Sequence, residues 1–227
     1  MKSTQLPEYA ENTTLIVPGC SNSLTDNFAL DWIISTLHLE RVAVLDSQAV
    51  TPMVQPGVFG CAQITTAIEL YSSPTSSVSV LQIRSSVVAK QTLAEELLKF
   101  GQRFAKIFVV GAASGFMLSG DALEETSRFR TIGDRPETKD YIPISAEEVF
   151  QGGLLKRLAT GASKVPVICI LVLTSGQGFA ETCLLSEGLA LRVLKLMQVS
   201  HGNLVEPKSI RSLLAAPAMT PELERIL

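Results

Sequence analysis

A chain of 227 residues is long enough to bury a substantial core, and one α/β domain is its simplest organisation. The net charge of −3, with acidic and basic residues interspersed, gives none of the electrostatic footprint of a nucleic-acid-binding protein. Hydrophobic residues make up 46% of the chain, but no apolar run reaches the roughly 18 residues of a membrane span, so we expect surface kept for another protein.

The cysteines and the amino-terminal sequence predict the cellular compartment. Cys20, Cys61, Cys169 and Cys183 form no CxxC pair, and residues 1–8 lack the apolar core of a signal peptide. We therefore expect a reducing, intracellular compartment.

The first half of the chain predicts strands that alternate with helices. Residues 1–13 are polar and predict a loose segment. Leu30, Ile33 and Leu37 recur at helical spacing, and the strand–helix–strand order around them predicts a parallel crossover. The predicted elements are a strand at 14–18, a helix at 26–39, a strand at 41–46, strands at 64–71 and 78–84 that form an antiparallel hairpin, a helix at 90–103 and a strand at 106–111.

The second half contains the most apolar strand and the longest helix. The pattern is weaker over 112–150, with an edge strand predicted at 128–132. Residues 165–173 are almost continuously apolar, which is typical of a strand buried on both faces. The helix predicted at 179–198 is apolar over so much of its circumference that it needs cover on two sides, one from the sheet and one from the rest of the chain or a partner. Prolines interrupt the tail, residues 202–227.

Together these elements predict a three-layer α/β sandwich, with a mostly parallel sheet that carries an antiparallel hairpin. We expect residues 14–227 to form this single domain, preceded by the loose segment 1–13 and including the tail 202–227.

Two motifs that suggest catalysis are incomplete. Residues 111–115 follow a strand, but their Gly-x-x-Ser-Gly spacing departs from the Gly-x-Ser-x-Gly of a hydrolase nucleophile elbow. His38 lies near the end of the helix predicted at 26–39 and His201 just past the long helix, where a capping role suits both, and neither has a carboxylate or cysteine at ligand spacing.

A loop with two glycines, residues 175–178, lies between the apolar strand and the long helix, where dinucleotide phosphates bind in other folds. Glu181 stands where the third glycine of that motif would be, and its charge would repel a phosphate. The acidic pairs at 124–125 and 147–148 are sequence neighbours, so their side chains do not converge. The sequence predicts no catalytic residue, no metal, no cofactor and no enzymatic activity.

Several colinear segments resemble the proteasome assembly chaperone 2 family. The resemblance extends over most of the chain and is weakest at 112–150. The segments that carry it are the strand at 15–18, the helix at 29–37, the Val-Thr-Pro-Met-Val loop at 50–54, the hairpin strands at 67–72 and 81–85, the glycine-led segment at 152–156 and the strand–loop–helix at 165–197.

This resemblance implies a non-enzymatic chaperone with a nucleoside-phosphorylase-like α/β fold, located in the cytoplasm and nucleus. Members of the family form a heterodimer with proteasome assembly chaperone 1. The heterodimer binds α subunits of the proteasome core particle, promotes formation of the α ring and prevents off-pathway α-ring dimers.

The resemblance also implies a role for the carboxyl terminus. The family docks a hydrophobic–tyrosine–any tripeptide between α subunits, and Arg225, Ile226 and Leu227 occupy those positions here. Ile226 replaces the tyrosine, so the hydroxyl contact is lost, and a tail that packs on its own domain is an equal alternative.

For the partner surface, we expect Phe179, Leu189 and Leu196 on an exposed side of the long helix. Trp32 joins them only if it is exposed. The alternative function is a nucleoside-phosphorylase-like enzyme or metabolite-binding protein that uses Gly176 and Gly178 against phosphate.

Overall fold

Apolar strands and amphipathic helices build one central sheet with helices on both of its faces. The computed structural model describes residues 2–3, 6–20, 24–55, 64–114, 129–133, 142–145, 153–175 and 178–214. Its strands are β1 (Lys2–Ser3), β2 (Thr14–Pro18), β3 (Glu40–Asp46), β4 (Val54–Gln55), β5 (Thr65–Thr66), β6 (Ile68–Ser72), β7 (Val78–Ile83), β8 (Lys106–Ser114), β9 (Phe129–Gly133), β10 (Ile142–Pro143) and β11 (Val167–Thr174). Its helices are α1 (Thr25–Thr36), α2 (Lys90–Gly101), α3 (Leu154–Thr160), α4 (Phe179–Leu196) and α5 (Lys208–Leu214).

Nine of the described strands form the main sheet, in the order β1-β3-β6-β7-β2-β8-β11-β9-β10, while β4 and β5 pair in a separate ribbon. The central strands β7, β2, β8 and β11 are parallel. Antiparallel pairing begins at β6 on one side and at β9 on the other. The α/β sheet with its antiparallel hairpin, β6–β7, is therefore confirmed.

Side chains that alternate along the strands divide the core into two layers. Leu15 and Val17 of β2 pack with α2 and α3 on one face of the sheet. Ile16 packs with α1, α4 and α5 on the other face. The three layers predicted from the sequence are present, and the apolar strand β11 lies between β8 and β9 with both faces covered.

The parallel crossover predicted around α1 is confirmed, but the two strands that it connects are not neighbours in the sheet. Strand β3 runs parallel to β2, and β6 and β7 lie between them. The strand predicted at 128–132 is present as β9, but the prediction that it lies at the edge is wrong, because β10 pairs along its outer side. The two-residue β10 has no strand-like pattern in sequence and contains Pro143, which sheets tolerate at an edge.

The described residues of segment 1–13 contact the rest of the domain, although the polarity of this segment predicts that it is loose. Strand β1 pairs antiparallel with the end of β3, where Lys2 lies opposite Asp46. Leu6 and Ala10 are buried, and Arg103 forms an ion pair with Glu11. Leu6 and Ala10 thus anchor a mostly polar segment to the core.

Candidate protein-interaction surface

Helix α4 carries leucine on both its inner and its outer face. Leu185, Leu189 and Leu194 lie on the inner face and pack in the core with α1. Leu184 and Leu191 lie on the opposite face, where they are 69% and 41% exposed. Full burial of a large apolar side chain stabilises a protein by about 1.5–3 kcal/mol relative to its exposure. A partner that covered Leu184 and Leu191 would therefore gain part of this free energy.

Helix α2, on the other side of the sheet, provides the comparison. Its exposed residues are Lys90, Gln91, Thr92, Glu95 and Lys99, all of which are polar. A helix that covers this sheet and faces water therefore carries the usual solvated face, whereas the outer side of α4 carries Leu184 and Leu191 among charged residues such as Lys195.

The apolar surface continues to the amino-terminal end of α4. Phe179 is 42% exposed and makes an edge-to-face contact with Phe28 of α1, with the ring centroids 5.9 Å apart. Ala180 is exposed in the next position. We call Phe179, Ala180, Leu184 and Leu191 the α4 surface.

The structure corrects one of the three residues predicted to bind a partner. Leu189 has no exposed surface and is a core residue, so it is not available at a surface. Leu196 is half-buried against the core, and Phe179 is exposed as expected. Trp32 is buried and fails the condition of exposure. Helical periodicity places Leu184 and Leu191 opposite Leu189, but periodicity alone does not say which side faces α1.

The carboxylate of Glu181, in the first turn of α4, is hydrogen-bonded to Ser175, the residue that follows β11. Glu181 Oε1 accepts hydrogen bonds from the backbone N–H of Ser175, at 3.2 Å, and from its hydroxyl, at 2.7 Å. Gly178 has φ 99°, a conformation that favours glycine, and Gly176 lies outside the described residues. The negative charge of Glu181 beside Ser175 opposes the binding of an anion there.

The glycine-rich exit of β8 is explained by packing. A Cβ on Gly111 would lie 2.2 Å from Cδ1 of Leu155, so the glycine allows α3 to approach the sheet closely. Ser114 is the last residue of β8, and Gly115 lies outside the described residues.

Of the two histidines, His38 lies near the end of α1 as expected, whereas His201 lies five residues beyond Leu196, the last residue of α4, and so is not at the end of that helix. His38 adopts φ 50° directly after α1, and the ring Nδ1 of His201 lies 2.7 Å from the carbonyl oxygen of Gly202. Among the described residues, no three His, Cys, Asp or Glu side chains are grouped as a metal site would require.

The described cysteines are structural in character. Burial raises the pKa of Cys169 to about 12. The pKa values of Cys20 and Cys183 are also raised, first by burial and then by the charges of Asp26 and Glu206 respectively. Reactive thiols need a lowered pKa, so these three do not have the character of nucleophiles.

A buried polar network between the sheet and helices α1 and α5 was missed by the sequence analysis. Asp31 of α1 is 1% exposed and accepts hydrogen bonds from Arg84, at 2.7 Å, and from Gln82, at 2.8 Å. Its second oxygen accepts a hydrogen bond from Ser209 of α5, at 2.9 Å. Charged groups are rarely fully buried unless they are paired, so this carboxylate lies in the environment it requires.

The network extends along the hairpin to Glu69, which has no exposed surface. Its carboxylate accepts hydrogen bonds from Arg41, at 2.6 Å, and from the Tyr71 hydroxyl, at 2.7 Å, and lies 3.8 Å from Nε of Arg84. Burial raises the pKa of Tyr71, so its hydroxyl stays protonated and donates. The network joins the segments 29–37, 67–72 and 81–85 that carry the family resemblance, and its role is to hold them together.

No helix in the part of the chain that the structure describes has the length and apolar character needed to cross a bilayer.

The chain is similar in sequence to proteins named proteasome assembly chaperone 2. It is 27% identical over 196 residues to the one from Danio rerio, covering 71% of this chain and 75% of the relative. It is 25% identical over 118 residues to the one from Xenopus tropicalis, where the alignment covers 48% of this chain and 45% of the relative, less than half of that protein's length.

Solved structures share the fold at low identity. Pyrococcus furiosus PbaA, described as an archaeal homolog of proteasome-assembly chaperone, has a TM-score of 0.66 and 13% identity, covering 99% of this chain and 96% of its own. A Thermoplasma acidophilum protein with unknown function also has a TM-score of 0.66, with 14% identity and coverage of 96% and 88%.

The model of the PAC2 family matches residues 23–214, a span that includes α1, the hairpin, α4 and α5. Because the match extends over most of the chain and includes every segment of the buried network around Asp31, this chain belongs to the PAC2 family.

Proposed function

We propose that this protein is a proteasome assembly chaperone that works as one half of a heterodimer with proteasome assembly chaperone 1. In this proposal the heterodimer binds α subunits of the proteasome core particle, promotes α-ring formation and prevents off-pathway α-ring dimers in the cytoplasm and nucleus. The observation that carries the proposal is the family match over residues 23–214, and the relatives named proteasome assembly chaperone 2 support it.

The proposed role is binding without catalysis. The βα loop that would serve a phosphate in the alternative function holds the Glu181 carboxylate against Ser175, which opposes an anionic ligand. The α4 surface, by contrast, leaves Leu184 and Phe179 exposed where a protein partner could cover them.

We assign the contact with the related chaperone to the α4 surface. Leu184 and Leu191 replace Leu189 as the leucines of this contact, because they are exposed and Leu189 is not. Interfaces commonly depend on a few apolar anchors, so a charge at one of them should weaken pairing strongly.

The experiment is a reconstitution from purified components. The chain is mixed with proteasome assembly chaperone 1 and recombinant α subunits, and native mass spectrometry measures heterodimers, α rings and ring dimers. We expect a one-to-one heterodimer and more single α rings than in its absence. Equal yields of rings and ring dimers with and without this chain would overturn the proposal.

Two variants locate the contact. Leu184→Glu should reduce heterodimer formation about tenfold or more, because it places a charge among apolar groups. Val88→Glu is the matched control, since Val88 is 67% exposed and lies outside the α4 surface. Equal pairing by both variants would remove the contact from α4 and leave the chaperone role standing.

The carboxyl-terminal residues are proposed as a second contact. Arg225, Ile226 and Leu227 lie outside the described residues. Deletion of these three should weaken binding to α subunits while heterodimer formation is unchanged. Unchanged binding would exclude tail docking.

A further inference from the structure

The main sheet is only partly covered along the outer side of β3. The two residues of β1 pair with the far end of this strand, opposite Leu45 and Asp46. No other described strand lies on that side of β3, although the strand begins at Glu40. An uncovered strand edge presents backbone N–H and C=O groups on which a further strand can pair. Strand β1 shows that this edge accepts an antiparallel neighbour.

A groove runs along the uncovered part of the edge. It has a volume of about 620 Å³, with residues 6–9 on one side and residues 40–42 on the other. Leu6 is buried in the core, so the first wall is anchored to the domain. Tyr9 is 41% exposed and gives the same wall an aromatic side chain that a ligand can contact.

The groove carries unbalanced negative charge. Glu8 and Glu40 line opposite walls and are both exposed. Neither side chain forms an ion pair or hydrogen bond within the part of the chain that the structure describes. Arg41 also lines the groove, but its guanidinium donates to Glu69 at 2.6 Å, and that buried carboxylate balances its charge. Two carboxylates therefore remain to attract a cation.

These features together fit one kind of ligand. Backbone pairing along a strand edge requires an extended peptide. Carboxylates on both walls favour a lysine or arginine in that peptide, and the face of the Tyr9 ring attracts the same cation. An acidic peptide would bring like charges together in the groove. A purely apolar peptide would remove water from the two carboxylates without giving them a partner.

We propose that the groove between residues 6–9 and β3 is a docking site for an extended segment of another protein that carries a lysine or arginine. The segment adds to the sheet in line with β1, with its backbone paired to β3 and its cation beside Glu8 and Glu40. Five residues of strand are roughly 17 Å long, so the contact is small and we expect a Kd of about 0.1 mM.

This site is distinct from the α4 surface. Helix α4 packs against β11, which lies toward the other end of the sheet from β3. The inference therefore goes beyond the proposed function and does not depend on it.

The first test measures the binding of a defined probe to the purified full chain, with no other chaperone present. The probe is a short fluorescein-labelled peptide in which valine and threonine alternate around one central arginine. Fluorescence anisotropy should show saturable binding. The same peptide with glutamate at its centre should bind about tenfold more weakly or less, since attraction to the two carboxylates becomes repulsion.

Charge reversal in the chain locates the contact. Glu8→Lys and Glu40→Lys should each weaken binding of the arginine peptide about tenfold. Glu95→Lys, at an exposed position of α2, is the matched control and should bind the peptide like the unmodified chain. Far-ultraviolet circular dichroism confirms that each variant is folded.

Strand addition needs its own test, because a charge contact alone would also respond to these variants. A peptide with the same side chains but N-methylated backbone amides cannot donate hydrogen bonds to β3 and should lose binding. Hydrogen exchange at the amides of residues 40–44 should slow when the arginine peptide is bound, while exchange in α2 stays unchanged.

Four results would overturn the inference: no binding of the arginine peptide at about 1 mM, equal binding of the glutamate peptide, unchanged binding to Glu8→Lys and Glu40→Lys, or equal binding of the N-methylated peptide. Glu8 and Glu40 would then only protect the edge from other strands. The reconstitution with proteasome assembly chaperone 1 contains no such peptide, so none of these results would affect the proposed function.

Discussion

The Ser209 hydroxyl donates a hydrogen bond of 2.9 Å to Oδ2 of Asp31, although the two residues are 178 positions apart in the sequence. The other carboxylate oxygen of Asp31 accepts from Arg84, at 2.7 Å. One buried carboxylate therefore joins α1, the end of β7 and α5. Helix α5 also buries Ile210, so it is held by both a polar and an apolar contact.

Removal of the carboxylate should be costly. Asp31→Ala is expected to lower the free energy of unfolding by about 3 kcal/mol or more, because the mostly buried Arg84 loses its nearest counter-charge. Urea denaturation measures the change. Asp46→Ala, at an exposed carboxylate, is the control and should stay within about 0.5 kcal/mol of the unmodified chain. A loss below about 1 kcal/mol for Asp31→Ala would contradict the assigned role.

Removal of the hydroxyl should act locally on α5. Ser209→Ala is expected to cost about 1.5–2 kcal/mol, since hydrogen bonds to charged groups are stronger than neutral ones. Hydrogen exchange should become faster at the amides of α5 than at those of α2. Ser200→Ala, at an exposed serine, should leave exchange in α5 unchanged. Protection of α5 that persists in Ser209→Ala would show that Ile210 alone holds the helix.

The same substitution at two leucines of α4 should change the free energy of unfolding by very different amounts. Leu189→Ala should cost about 2–5 kcal/mol in free energy of unfolding, because it leaves a cavity in the core between α4 and α1. Leu184→Ala, at a 69% exposed side chain, should change that free energy by less than about 0.5 kcal/mol. Thermal or urea unfolding of both variants gives the comparison, and equal losses would contradict the assigned orientation of the helix.

Alkaline pH should destabilise the fold through its buried thiols. The pKa of Cys169 is raised by burial from 9.0 to about 12, so the unfolded chain loses this proton at lower pH than the folded chain does. The thiol's contribution to stability is complete below pH 9.0 and is lost as the pH rises from 9.0 to about 12. The slope from this one group reaches about 1.4 kcal/mol per pH unit.

Cys169→Ala isolates this contribution. Its free energy of unfolding should fall less steeply above pH 9.0 than that of the unmodified chain, although its value at neutral pH is lower because a buried side chain is truncated. Urea titrations at a series of pH values measure both slopes. Parallel slopes would show that the thiol ionises at the same pH in both states.

Elements with a strong local pattern could be predicted from the sequence. The helix around Ile33 and the strand around Cys169 follow from spacing and apolar content within a few residues, and both are present as α1 and β11. The order of the strands was harder to predict from the sequence, because the two-residue β10, which pairs with β9, has almost no strand-like sequence pattern.

The candidate surface could be predicted only in part. The sequence indicates that α4 needs cover on two sides, but with leucines on both sides it does not say which side faces α1. Leu189 was therefore assigned to the surface and Leu184 was overlooked. The network around Asp31 was missed for a different reason, since its partners Arg84 and Ser209 are distant in sequence and no local pattern relates them.

The contact between Asp31 and Ser209 has a consequence for synthesis on the ribosome. Ser209 is translated 178 residues after Asp31. Until then the α1 carboxylate lacks one of its donors, and the face that α5 covers with Ile210 stays open to water. This contact can therefore form only after α5 has been translated, and nascent chains that end before α5 would expose that face to general chaperones and proteases.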